Sequence, residues 1–271
     1  MKKVFLASLA ALALLASCTG NQKKAEVQAE EEVSIEQEQL EEYIQVQMDS
    51  LASEFKKMES KPFIMSLKNG EIALTDEEKA VAPEYLLAPS ATDGLVTLSQ
   101  KYRAVSMLFA DKIIADAYGM NTDSYQAAIT KLVADIDDPA FKTLNEANEE
   151  ESEPSKLIQN FYDEEKANNR VNFFWETTTA LLIEELYVVS KDPSNKFIEC
   201  FDDQAADNVT YRIALFMNAL NDLKDYRPEL AQLNEAIQPL SKLNAVSADQ
   251  FKQQVADMSK DIKVIRESLL K

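Results

Sequence analysis

Apolar side chains recur every three, four or seven residues along most of this chain, the spacing of a helix with one buried face. Leu40, Ile44, Leu51, Phe55 and Met58 line such a face on a helix starting near Val33. Leu95, Leu98, Tyr102, Val105, Phe109 and Ile113 do the same over about Ala91 to Tyr118, with Gly119 placed to cap the end. Further helices are predicted over "DSYQAAITKLVADI", over a long region from Pro154 to about Lys191, over about Ala206 to Lys224 and over about Pro228 to Leu240. A last one runs from Ser247 to Leu270, with Phe251, Val255, Met258, Ile262 and Leu269 on one stripe. Pro62, Gly70, Pro83, Pro89 and Gly94 mark a connector between the first two long helices. It contains one short helix, opened by the capping box Thr75 to Glu78.

The reading is an all-α bundle of about seven helices with no significant β-sheet. Composition agrees: four glycines and eight prolines are too few to punctuate a strand-and-turn architecture, while Ala, Leu, Glu, Lys and Gln favour helix. Tyr102-Arg103, Ala110 and Tyr118 are echoed by Tyr211-Arg212, Ala219 and Tyr226, the pattern that a duplicated helix hairpin would leave and that chance among Ala- and Leu-rich helices would also leave. Polar, aperiodic residues 18–32 read as a flexible tether, and residues 33–271 as a single domain.

The first 20 residues, "MKKVFLASLAALALLASCTG", differ in kind from the rest. Two lysines precede an apolar run from Val4 to Ala16, shorter than the roughly 20 residues that span a bilayer. That is the layout of a secretory signal, assigned to residues 1–17. Leu15-Ala16-Ser17-Cys18 resembles the lipobox of bacterial lipoproteins, and the mature part looks similar to the all-helical lipoproteins of some Gram-negative envelopes. The resemblance is carried by the first 18 residues. It implies that Cys18 becomes the mature N-terminus, bears lipid and holds the chain to a membrane. Thr19, where lipoproteins kept in the inner membrane often have Asp, implies the outer membrane, at either its periplasmic face or the cell surface.

Charge and missing residue types narrow the chemistry. The formal charge of −19 becomes −21 once Lys2 and Lys3 leave with the signal, 26 basic side chains then facing 47 acidic ones, so a nucleic-acid partner is not expected. The chain has no histidine, which excludes His-dependent triads and the Glu-x-x-His ligands of di-iron bundles. The acidic groups at Asp135 to Asp138 and Asp202 to Asp207 lack the order of an EF-hand loop and read as solvated turn or cap residues. No metal, cofactor or catalytic residue is assigned. Cys200, without an intramolecular partner, reads as a partly buried thiol.

"FFWETTTALLIEELYVVS", Phe173 to Ser190, is the most apolar run of the mature chain. On a helical wheel Glu176 falls on a narrow polar stripe and is expected to be wet, Glu184 lies at the margin, and Glu185 falls inside the apolar arc. A carboxylate there needs a cation or donors. Arg212 sits among Leu215, Phe216 and Ala219 on its own helix, and Arg103 occupies the echoed position. A buried Glu185–Arg212 pair is one reading; a general acid or base at Glu185, as in a carboxylate-dependent hydrolase, is its rival. The expected function is binding or scaffolding at the membrane for a protein or envelope polymer, with the hydrolase and a small-ligand carrier as alternatives.

Overall fold

The computed structural model describes residues 22–58, 63–141 and 154–271, with side chains described from Gln39 and, after the second gap, from Lys156. Among these residues every regular element is helical, so the fold is all-α. Cys18 and the lipobox lie outside the described residues.

Helix α1 covers Gln22–Lys57 and begins earlier than the periodicity predicts, because the Ala, Glu, Gln and Lys residues before Val33 are strong helix formers even without an apolar face. Contacts divide the chain within α1 into a unit ending at Tyr43 and a unit from Ile44 to Lys271. In the first unit the side chains of Leu40 and Tyr43 are exposed. The second holds the core.

The connector contains α2 (Phe63–Lys68), α3 (Asp76–Lys79) and a 3-10 turn at Pro89–Thr92. Thr75 and Glu78 form the reciprocal capping box of α3: Thr75 Oγ1 accepts from the Glu78 amide at 3.2 Å, and Glu78 Oε2 from the Thr75 amide at 2.7 Å. Helix α4 (Leu98–Ala117) starts later than Ala91. A second capping box, Thr97 with Gln100, satisfies the first free amides and fixes the start there. Its end is closed at Gly119, φ +73°: the Gly119 amide donates to Asp116 O and the Met120 amide to Ala115 O, both at 2.9 Å.

Helix α5 is Asp123–Ile136, as the sequence predicts. The long region from Pro154 is two helices, α6 (Pro154–Ala167) and α7 (Val171–Lys191). Asn169 adopts φ +55° between them, and the Asn169 and Arg170 amides turn back onto Lys166 O and Glu165 O. Asparagine tolerates this left-handed conformation better than most residues, so the break is encoded by a residue type that a purely apolar pattern ignores. The rest comprises α8 (Lys196–Glu199), α9 (Asp203–Leu223), α10 (Ala231–Ile237) between 3-10 turns, α11 (Ala248–Asp257) and α12 (Ser259–Ser268). The predicted last helix is thus broken at Met258, and the bundle has more segments than seven.

Helix α7 is the axis of the fold. It packs against α4 most extensively, and also against α6, α8, α9, α11 and α12. Fifteen of its 21 residues are buried, so it has no wet face. An aromatic cluster fixes its N-terminal half: Phe174 meets Phe55, Phe161, Tyr162 and Trp175 with ring centroids 5.0–6.2 Å apart. The helix pairs α4–α5 and α9–α10 each pack together. Their echoed residues differ in setting, since Tyr102 is buried whereas Tyr211 is 43% exposed.

Candidate functional site

Burying α7 on all sides drags its three glutamates inside, and each meets an arginine from a different helix. Glu185 is joined to Arg212 of α9, whose Nη1 donates to Oε2 at 3.4 Å; both side chains are under a tenth exposed. Burial raises the Glu185 carboxyl above its ordinary value, while Arg212 and the Ile64 and Phe63 amides at the start of α2 pull it back.

Glu176 is not wet as the polar stripe predicts: it is 1% exposed. Ser99 Oγ donates to its Oε1 at 3.0 Å, and Arg103 Nε lies 3.5 Å from its Oε2. Glu176 faces α4, not solvent, and this is where Arg103 is placed, apart from the Glu185 pair. Burial pushes Glu176 up to about 7 against the opposing effects of Arg103, Ser99 and Asn172.

Glu184 is not marginal either. It is fully buried and accepts a forked pair from Arg266 of α12, Nε to Oε2 at 2.8 Å and Nη2 to Oε1 at 2.7 Å. The guanidinium carbon of Arg266 also sits 4.1 Å from the centroid of the Tyr187 ring. A further acid, Asp111 of α4, lies 3.5 Å from Arg266 Nη2, and its Oδ2 accepts the Leu87 amide at 2.6 Å.

A separate cluster ties the α6–α7 break to α4. Asp138 accepts from the Tyr102 hydroxyl, from Arg170 Nη1 at 2.8 Å and from the Ala140 amide at 2.9 Å. Burial works against its charge, but these donors outweigh it and hold its carboxyl below the ordinary value. Asp138 is therefore an internal acceptor and not the solvated turn residue expected of the Asp135 to Asp138 group. Glu165, behind it on α6, is fully buried with neither oxygen hydrogen-bonded. Burial and the nearby Asp138 charge push it up to about 9, so it is a neutral acid at pH 7.

Four of the five arginines thus serve internal carboxylates; Arg227 lies on the Tyr226 ring, 4.8 Å from its centroid. The sequence reading isolates Arg212 because it sits in an apolar sector. The same test finds the residues it missed: Asp111 lies three residues from both Leu108 and Ile114, Arg266 follows Ile262 by four, and Glu165 follows Phe161 by four. A charge inside an apolar stripe is the signal, whichever helix carries it.

Other candidates take structural roles. Asp202 caps α9, accepting the Ala205 amide at 2.8 Å, and Asp203 accepts the Ala248 amide at 2.7 Å. Among the described residues no group of three acidic, Cys or His side chains is placed to hold a metal. Cys200 is exposed, not partly buried, because Phe197 and Ile198 take the inward positions of the short helix α8 that it terminates. A cleft of about 50 Å³, lined by Thr92, Asp93, Gly94, Leu95, Lys131 and Asp135 among others, holds none of the buried carboxylates and has room for a few waters. No described helix is long and apolar enough to cross a membrane. Comparisons with protein-family models, with curated proteins and with solved structures find no match to this chain.

Proposed function

We propose that this chain is a membrane-tethered lipoprotein, anchored through lipid on Cys18 at the outer membrane, whose helical body docks a protein or envelope polymer. The observation that supports the docking role is where the charges lie. Arginine is largely withdrawn into internal pairs, which leaves lysine as the main surface cation against the great excess of Asp and Glu. The exterior is strongly anionic, and its complement is a cationic partner whose capture weakens with salt. The internal pairing of Glu185 supports a structural role for it over a hydrolytic one, since a working acid must reach substrate.

Two experiments test the reading. Labelled palmitate enters the wild-type protein and not Cys18→Ala; label in both removes the anchor. Crosslinking in intact cells at low and high ionic strength recovers a basic partner that salt depletes. Capture indifferent to salt refutes the electrostatic part.

A further inference from the structure

Arg266 Nη2 stands between two acids, 2.7 Å from Glu184 Oε1 and 3.5 Å from Asp111 Oδ2, and both acids are 0% exposed. One guanidinium balances one negative charge. With both acids ionised, the site would hold an uncompensated anion in a dry core, the arrangement that proteins avoid by taking up a proton.

The hydrogen bonds say which acid takes it. Glu184 receives Nε and Nη2 of Arg266 in a fork suited to a carboxylate. Asp111 receives the Leu87 amide on Oδ2, and its Oδ1 has no hydrogen-bond partner. An ionised Asp111 leaves that oxygen unsatisfied, whereas a protonated one turns it into a donor beside the Glu184 charge. The groups facing Asp111 are Tyr85 and the Leu87 amide from the connector, Glu184 from α7, Tyr125 from α5 and Arg266 from α12, with Tyr187 of α7 under the guanidinium; α2 and the 3-10 turn at Pro89–Thr92 also pack on α4 and bring no charged group to Asp111 among these contacts. Arg266 is the cation among them.

We infer that Asp111 holds a proton at neutral pH, so that its cluster with Glu184 and Arg266 is a buried proton-binding site joining α12 and the Leu87 connector to α4 and α7. Burial and the Glu184 charge hold the Asp111 carboxyl well above its ordinary range, Arg266 and the Leu87 amide opposing. Tyr125, pushed up to about 12 by burial and then by the two acids, stays neutral and does not compete for the role.

The direction of the pH response follows. A group that binds its proton more tightly in the folded state contributes most below its unfolded pKa, near 4. Its contribution falls as pH rises toward the folded pKa, by about tenfold in the folding constant per pH unit. Alkaline conditions therefore destabilise the folded domain.

Infrared spectroscopy of the folded wild-type protein at pH 7 reads the proton directly. A protonated carboxyl band that moves on carbon-13 labelling of aspartate is expected; glutamate labelling would report Glu165 and the partly protonated Glu176 instead. Asp111→Asn, which keeps an acceptor for the Leu87 amide and offers a fixed N–H donor, should remove that band. It should also flatten the pH dependence of urea unfolding between pH 5 and 8 by about one proton relative to wild type. Absence of an aspartate-sensitive band, or parallel pH profiles for the two proteins, overturns the proposal.

Discussion

Replacing Arg212 by leucine asks whether Glu185 is held in the core or held for chemistry. The guanidinium lies 3.4 Å from Glu185 Oε2 with both side chains under a tenth exposed, so its removal strands a carboxylate that the Phe63 and Ile64 amides only partly compensate. Breaking a buried pair from one side costs about 3–5 kcal/mol, most of it the desolvation of the charge left behind. Glu185→Leu strands the arginine and costs a similar amount. The double replacement, Glu185→Leu with Arg212→Leu, removes both charges and fills the space with apolar volume, and its cost should be within ~2 kcal/mol of wild type. In a domain of this size each kcal/mol moves the melting temperature by roughly 2–4 °C, so the single variants should melt about 6–20 °C lower and the double variant close to wild type. Chemical unfolding followed by far-UV circular dichroism gives the four corners of the cycle. A coupling energy below about 1 kcal/mol, with the double variant as damaged as the sum of the singles, would refute the pair as a unit.

Three further outcomes follow from the packing. Glu165 is a neutral acid whose folded pKa, about 9, stands far above its unfolded one; its contribution is full at acid pH and is lost as pH rises through about 9. Glu165→Gln should therefore reduce the alkaline fall in stability by up to roughly 1.4 kcal/mol per pH unit, and an unchanged slope in urea titrations at pH 6 to 9 would count against it. Phe174→Ala opens a cavity where four aromatic rings meet and should cost about 3–5 kcal/mol by the same unfolding measurement; a loss under 1 kcal/mol would mean the site collapses freely. Thr97→Ala removes one half of the capping box that starts α4 and should cost about 1 kcal/mol, with amide exchange rising in the first turn and not beyond it.

Periodicity carries the class of this fold because helix is a local structure: α5 and the Thr75 capping box stand where 3.6-residue spacing and cap chemistry put them. It carries the breaks poorly. Asn169 and Met258 divide stretches that each read as a single helix, and Thr97 starts α4 by a hydrogen-bonding pattern that hydrophobic spacing does not register. Arg212 was legible as a candidate because a charge amid Leu215, Phe216 and Ala219 contradicts its own helix. Asp111, Arg266 and Glu165 carry the same contradiction in less apolar surroundings, where a single charge stands out less.

By itself, the sequence determined that the body is helical, that no histidine chemistry operates in it, and that some charge must lie among apolar side chains. Only the tertiary structure decided which charges those are. Glu176 and Glu184 lie on parts of α7 that a wheel marks as polar or marginal, and a wheel assumes that one side of a helix meets water. Helices pack around α7 on every side, so that assumption fails, and each glutamate is set by the arginine that a distant stretch of chain brings to it. A carboxylate's environment depends on contacts across the fold, not on spacing along the chain, which is why three glutamates within ten residues of one helix came to have three different arginine partners.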